Sequence, residues 1–225
     1  MNARPLLLAT ALATLLPLQA SATISRAIGF DEKVDNAAAI VLGKCISTSS
    51  KWDPSGKWIL TYSTFRVEET MKGLPAQELT VVTPGGTVNG IHQETIGVPS
   101  FSNGDDHVIF TKNTSAGPTV LYFEQGAYDV ETVRGERFVK PAVSAAVLVD
   151  TQRGIAVPPE QTRSLRDFEV SVRDRVRERQ LRMEMIEREK HQQASLIGIV
   201  KRNWMLIALA LIGAALATWQ LVKRW

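Results

Sequence analysis

His92 and Glu94 stand two apart in "IHQE", and Asp105, Asp106 and His107 follow "SNG". Positions two apart on a strand share a face, so His92 and Glu94 would present an imidazole beside a carboxylate. Gathered together, His92, Glu94, Asp106 and His107 make a mixed nitrogen and oxygen donor set of the kind that holds a divalent metal. That set defines a metal-dependent enzyme as one alternative. It requires all four side chains within a few Å of one ion, so scattering beyond about 10 Å excludes it. The chain has no HExxH and no paired cysteine motif. The plainer expectation gives Asp105 to a turn and His107 to a strand start, with no catalytic residue, metal or cofactor.

Other chemistry is less well supplied. No GxSxG elbow occurs, and "TPGG" at Thr83 to Gly86 lacks the Lys-Ser/Thr end of a phosphate loop. Its expected role is a sharp turn with positive φ at a glycine. The single cysteine, Cys45, excludes an internal disulfide. It follows "AIVLGK", which places it in a buried strand, with no adjoining histidine or basic cluster to activate the thiol. The aromatic candidates for an interaction surface are Trp52, Trp58, Tyr62 and Tyr122. Their competing role is core or rim packing.

The elements that would carry these residues read as strands from about Asp35 to Asp150. "AAIVLGKCI" is a short, nearly continuous apolar run, as for a buried strand. "WDPSGKW" turns the chain. In "ILTYSTFRVEET", Thr61, Ser63, Phe65 and Val67 take one side and Leu60, Tyr62, Thr64 and Arg66 the other. "KGLPAQ" turns again before "ELTVVT", and "PGG" breaks that strand. Asn89-Gly90 marks a hairpin, the strongest short-range signal of one. "FSNGDD" precedes "HVIFTK", "SAGP" precedes "TVLYFEQGAYDV", and a last hairpin runs through "VRGERFVK". Six to eight short strands with this spacing predict a mainly β fold, a small antiparallel barrel or sandwich.

The order "AAIVLGKCISTSSKWDPSGKWILTYSTFRVEETMKG", "LTVVTPGG", "GDDHVIFTK" resembles a group of exported bacterial proteins of uncharacterised function. These in turn are similar to the netrin-like, OB-type barrel of tissue metalloprotease inhibitors. The resemblance spans roughly Asn36 to Lys140 and rests on structural pieces rather than a catalytic signature. It implies an OB-like fold and, as an alternative function, regulation or inhibition of an envelope or secreted protease. The inhibitors cap a protease zinc with a cysteine at the mature N-terminus. Here the mature chain would begin at Thr23 and the only cysteine is Cys45, so that mechanism does not transfer.

The two ends have a different texture. Arg4, the apolar "PLLLATALATLLPL" and the small residues Ala20, Ser21 and Ala22 read as a signal peptide over residues 1–22. The β domain is assigned to 23–160, ending at Pro158 and Pro159. A charged juxtamembrane helix is assigned to 161–200, capped by Thr162 or Ser164, with Leu165, Phe168, Val172 and Val176 on one face. Arg and Glu alternate after Val176, giving a solvated stalk or, through 176–190, a weak homodimer. Trp204 to Val222 is uncharged and spans roughly 28 Å at helical rise, about a hydrocarbon core. Trp204 and Trp219 sit at interface depth, and Lys223 and Arg224 close the anchor. Gly213 and Ala217 offer one small-xxx-small spacing for helix pairing.

A signal peptide followed by a stop-transfer helix puts the domain outside the cytoplasm, leaving 223–225 inside. The run "SLIGIVKRN" before the helix has no sorting motif. The net charge of +3, export and the lack of aromatic-basic strands argue against nucleic acid. The expected function is a membrane-tethered, non-catalytic binding or adaptor domain in the periplasm or outside the cell. Its expected partners are the lipid bilayer and another envelope protein, a protease among the candidates.

Overall fold

The computed structural model describes residues 24–142, 147–158 and 160–223. The signal segment 1–22, Pro159, Arg224 and the side chain of Ala217 lie outside the described residues. Among the described residues strand is the commonest regular structure, and most of the helix lies in one C-terminal element, so the folded part is mainly β. Two compact units are present, Met1–Arg173 and Asp174–Trp225.

The first unit is built on strands β1 (Ile24–Arg26), β2 (Ala39–Trp52), β3 (Ile59–Lys72), β4 (Glu78–Pro84), β5 (Gly86–Val88) and β6 (Ile91–Gln93). There follow β7 (Asp106–Thr114), β8 (Gly117–Val120), β9 (Ala127–Val133), β10 (Glu136–Pro141), β11 (Val147–Asp150), β12 (Ile155–Ala156) and β13 (Arg163–Ser164). Helix α1 is Phe30–Asn36 and α2 is Leu165–Lys223. The main sheet runs β13-β10-β9-β7-β2-β3-β4, with β8 also paired to β7. Its ladders are all antiparallel. A small sheet β1-β11-β12 and the hairpin β5-β6 complete the unit.

The mainly β, antiparallel fold expected from the sequence is present, and closure of the sheet into a barrel is not found among the described residues. β8 packs beside β4, but no backbone ladder joins them. Pro118 in β8 has no N–H to donate across that seam, and β4 pairs only with β3.

The apolar run in β2 has a direct cause. The sheet is covered on both faces, so residues of either parity are buried. Val41, Cys45, Phe65, Val81, Phe101 and Ile109 form the core on one face. On the other, Phe110 and Tyr128 pack against Phe168 of α2, with ring centroids 6.1 and 5.0 Å from it. Leu165, Phe168 and Val172 are buried, so the first turns of α2 belong to the β unit. Ser164 is the cap: its Oγ accepts the Asp167 N–H at 3.1 Å.

The turns follow their residues. Asn89 and Gly90 both take positive φ between β5 and β6, as do Arg134 and Gly135 between β9 and β10, which is what the tightest hairpins require. Gly86 also has positive φ, and a Cβ there would stand 2.4 Å from Ser50 Oγ and Thr61 Oγ1. The Pro-Gly-Gly break is therefore a tight turn pressed onto the β2-β3 hairpin.

In the second unit, Arg and Glu pair along the helix: Arg182–Glu178 at 2.6 Å and Arg188–Glu184 at 3.9 Å. Leu181, Met183, Met185 and Ile186 are exposed. Asn203 departs from helical geometry. It lies within Lys201–Lys223, the one stretch of helix among the described residues long and apolar enough to cross a membrane, with none of its apolar window buried.

Candidate functional site

The four residues of the metal alternative are not brought together. His92 on β6 is exposed, its Nδ1 3.0 Å from Thr87 Oγ1, and Glu94 is exposed beyond the strand end. Asp106 and His107 are adjacent on β7 and so face opposite ways. Asp106 lies 2.7 Å from Lys44 Nζ and 3.6 Å from Arg137 Nη2. His107 is buried against Phe65 and Phe101, with centroids 5.9 and 5.0 Å away. Its Nδ1 is 3.1 Å from Asp129 Oδ1, at an angle that makes no hydrogen bond. Among the described residues no three His, Cys, Asp or Glu converge on a metal position. The strand pleat is the physical reason: neighbouring residues in one strand cannot ligate a common ion from opposite faces. Asp105 serves the turn, its carbonyl accepting the Cys45 N–H at 2.9 Å. Cys45 itself is fully buried on β2.

The four aromatic candidates separate as well. Trp52 pairs with Ile59, and Tyr62 pairs with Ser49. Opposed residues share a face, and the two pairs differ by an odd step, so Trp52 and Tyr62 lie on opposite faces of the hairpin. Lys51 covers the Tyr62 ring at 4.1 Å. Trp58 is 64% exposed just before β3. The turn before it is held by Asp53, whose carboxylate accepts the Ser55 hydroxyl at 2.6 Å and the Lys57 and Trp58 N–H groups at 2.9 Å. Those bonds, led by Ser55, hold the Asp53 carboxyl down at about 2.

Tyr122 has different surroundings. It and Phe123 are consecutive non-glycine residues in left-handed backbone, both at φ 56°; Tyr122 caps, and Phe123 begins, the 3-10 turn Phe123–Gly126 that follows β8. Each such residue costs on the order of 1–3 kcal/mol and persists only where its surroundings impose it. Gly126 makes the tight winding possible, since a Cβ there would meet the Leu121 carbonyl oxygen at 1.9 Å. The Tyr122 hydroxyl accepts Asn36 Nδ2–H at 2.8 Å and donates to Glu32 Oε1 at 3.3 Å. Phe123 remains 57% exposed. Both rings wall a cavity of about 430 Å³ that also meets Ile28, Pro84, Val98 and Pro99.

A second cavity of about 450 Å³ shares Ile28 and Gln125 with the first. Lys33 of α1 lies at its wall and is only 3% exposed. Its Nζ donates to Tyr128 Oη and to Glu160 Oε1, and Tyr128 O–H donates to Glu160 Oε2 at 2.8 Å. Burial pulls the Lys33 amine below the usual lysine range, against the opposing pull of Glu160. Burial, with the Glu160 carboxylate beside it, pushes the Tyr128 phenol well above its ordinary value. Sequence reading missed this trio. Its trace is Lys33 lying on the face shared by Phe30, Val34 and Ala37, at helical spacing.

Fold and site therefore define, among the described residues, a mainly β domain that carries the two cavities just described, followed by an apolar helix of membrane-spanning length. Comparison of the chain with protein-family models, curated proteins and solved structures finds no match.

Proposed function

We propose that this chain is a membrane-tethered binding domain, held outside the cytoplasm, that grips another envelope protein through the Tyr122–Phe123 groove. The carrying observation is the pair of aromatic residues kept in left-handed backbone while Phe123 stays exposed. A fold keeps such strain where a side chain must be presented in one direction. Aromatic anchors beside a pocket are the features that dominate protein interfaces. The anchor is the apolar helix ending at Lys223. Signal-led export followed by stop-transfer puts the β unit on the periplasmic or extracellular side and the C-terminus in the cytoplasm.

The netrin-like resemblance belongs to this proposal. The run β4-β3-β2-β7-β8, curled until β8 lies beside β4, supports an OB-type reading. The test is recovery of crosslinked partners from native membranes, comparing the full chain with its Phe123→Ala variant. One envelope protein retained by the wild type and lost by the variant supports the groove. Equal recovery by both overturns it. If the retained protein is a protease, its activity in the presence of the chain separates regulator from adaptor.

A further inference from the structure

Lys33 is placed for more than packing. It is an amine with almost no solvent exposure at the wall of a 450 Å³ cavity, a volume typical of small-molecule sites. Ile28, Val147, Leu148 and Val157 supply aliphatic wall. Beside the amine stand a phenol, Tyr128, and a carboxylate, Glu160, each bonded to Nζ and to one another. A purely structural ion pair needs neither the cavity nor the phenol. An amine that condenses with a carbonyl compound needs the amine itself, a group to take its proton and a donor for the departing oxygen.

We propose that Lys33 captures short-chain aliphatic aldehydes or ketones reversibly as an imine within this cavity. Glu160 takes one proton from the Lys33 ammonium, and the freed nitrogen attacks the carbonyl carbon, forming the C–N bond. The attacking nitrogen sheds a proton to the carbonyl oxygen as the C=O π bond opens, and the resulting hydroxyl leaves as water, its C–O bond breaking as the proton held by Glu160 is returned to it through the Tyr128–Glu160 pair. The balance is one carbonyl compound plus one lysine ammonium giving one protonated imine plus one water, with no oxidant or reductant consumed. Burial favours the uncharged amine that attacks.

The experiment uses the wild-type full chain in detergent, with butanal as probe and cyanoborohydride to trap the imine near neutral pH. Peptide mass spectrometry then compares Lys33 with the exposed Lys57 and Lys112. The expected result is alkylation of Lys33 about tenfold or more faster than of either exposed lysine, as for a desolvated nucleophilic amine. Glu160→Gln and Tyr128→Phe should each slow Lys33 selectively, leaving Lys57 and Lys112 unchanged. A Lys33 rate equal to or below that of the exposed lysines overturns the proposal and leaves a structural ion pair. The readout involves no protein partner, so it fails or succeeds independently of the groove.

Discussion

Two aromatic regions of the β unit look alike in sequence and differ in physics. The β2-β3 hairpin end carries Trp52, Trp58 and Tyr62. The turn after β8 carries Tyr122 and Phe123. Exposure does not separate them, since Trp58 is more exposed than Phe123. Backbone and support do. The hairpin aromatics have no positive φ, and Trp52 and Tyr62 are divided between two faces. Tyr122 and Phe123 sit in costly backbone and wall one cavity, and Tyr122 is tied to α1 through Asn36 and Glu32. The same short helix turns Lys33 inward to Tyr128 and Glu160. One face of α1 thus positions the groove while another anchors the helix.

The difference can be broken experimentally. Phe123→Ala should weaken partner binding by at least ~2 kcal/mol, about thirtyfold in Kd, as for an aromatic hot spot. Trp58→Ala, measured in the same titration, should change it by less than about 0.5 kcal/mol.

Glu160→Ala leaves Lys33 buried without its charge partner. Fully buried pairs lose roughly 3–5 kcal/mol on such a change. The Glu160 side chain is 35% exposed, so water softens the loss, and we expect about 2–3 kcal/mol in denaturant unfolding. A loss no larger than that from Glu184→Ala, an exposed helix pair of ~0.3–0.5 kcal/mol, would remove α1's anchor from the account.

Phe123→Gly sharpens the comparison further. Glycine relieves the left-handed strain but adds freedom to the unfolded chain, and these oppose each other at about 1 kcal/mol each. Stability should stay within ~1 kcal/mol of wild type while binding is lost. A large stability loss would make Phe123 a packing residue instead.

The smallest effect is at the other aromatic region. The Asp53 carboxyl is held down at about 2 by the bonds that form the hairpin turn. A depressed carboxylate contributes stability above its unfolded pKa, and that contribution is lost as pH falls through its folded value. Protection of the Trp58 amide from hydrogen exchange should therefore hold near neutrality and decline from about pH 4 toward 2. Asp53→Asn should show reduced protection near neutrality and little further change on acidification.

Local pattern made much of the fold legible. Alternation in β3, the Asn89-Gly90 and Arg134-Gly135 turns and the burial of Cys45 all follow from residue types at short range. Three features did not. Barrel closure depends on whether β4 and β8 exchange hydrogen bonds, which no local pattern encodes. The strands β1, β11 and β12 are two to four residues long, too short for a period to register. The trio Lys33, Tyr128 and Glu160 is separated by 95 and 127 positions from its lysine, so only the fold assembles it. The groove was half visible: Tyr122 stood among the aromatic candidates, but left-handed backbone at Tyr122 and Phe123 follows from the surrounding winding, not from residue preference.

The most direct test of the central claim is a photo-crosslinking amino acid placed at position 123 and, in a parallel chain, at position 58, with irradiation of intact cells. Position 123 should give one discrete adduct with an envelope protein, and position 58 none of that mass. The same adduct from position 58, with none from position 123, would contradict that claim and return the binding surface to the hairpin.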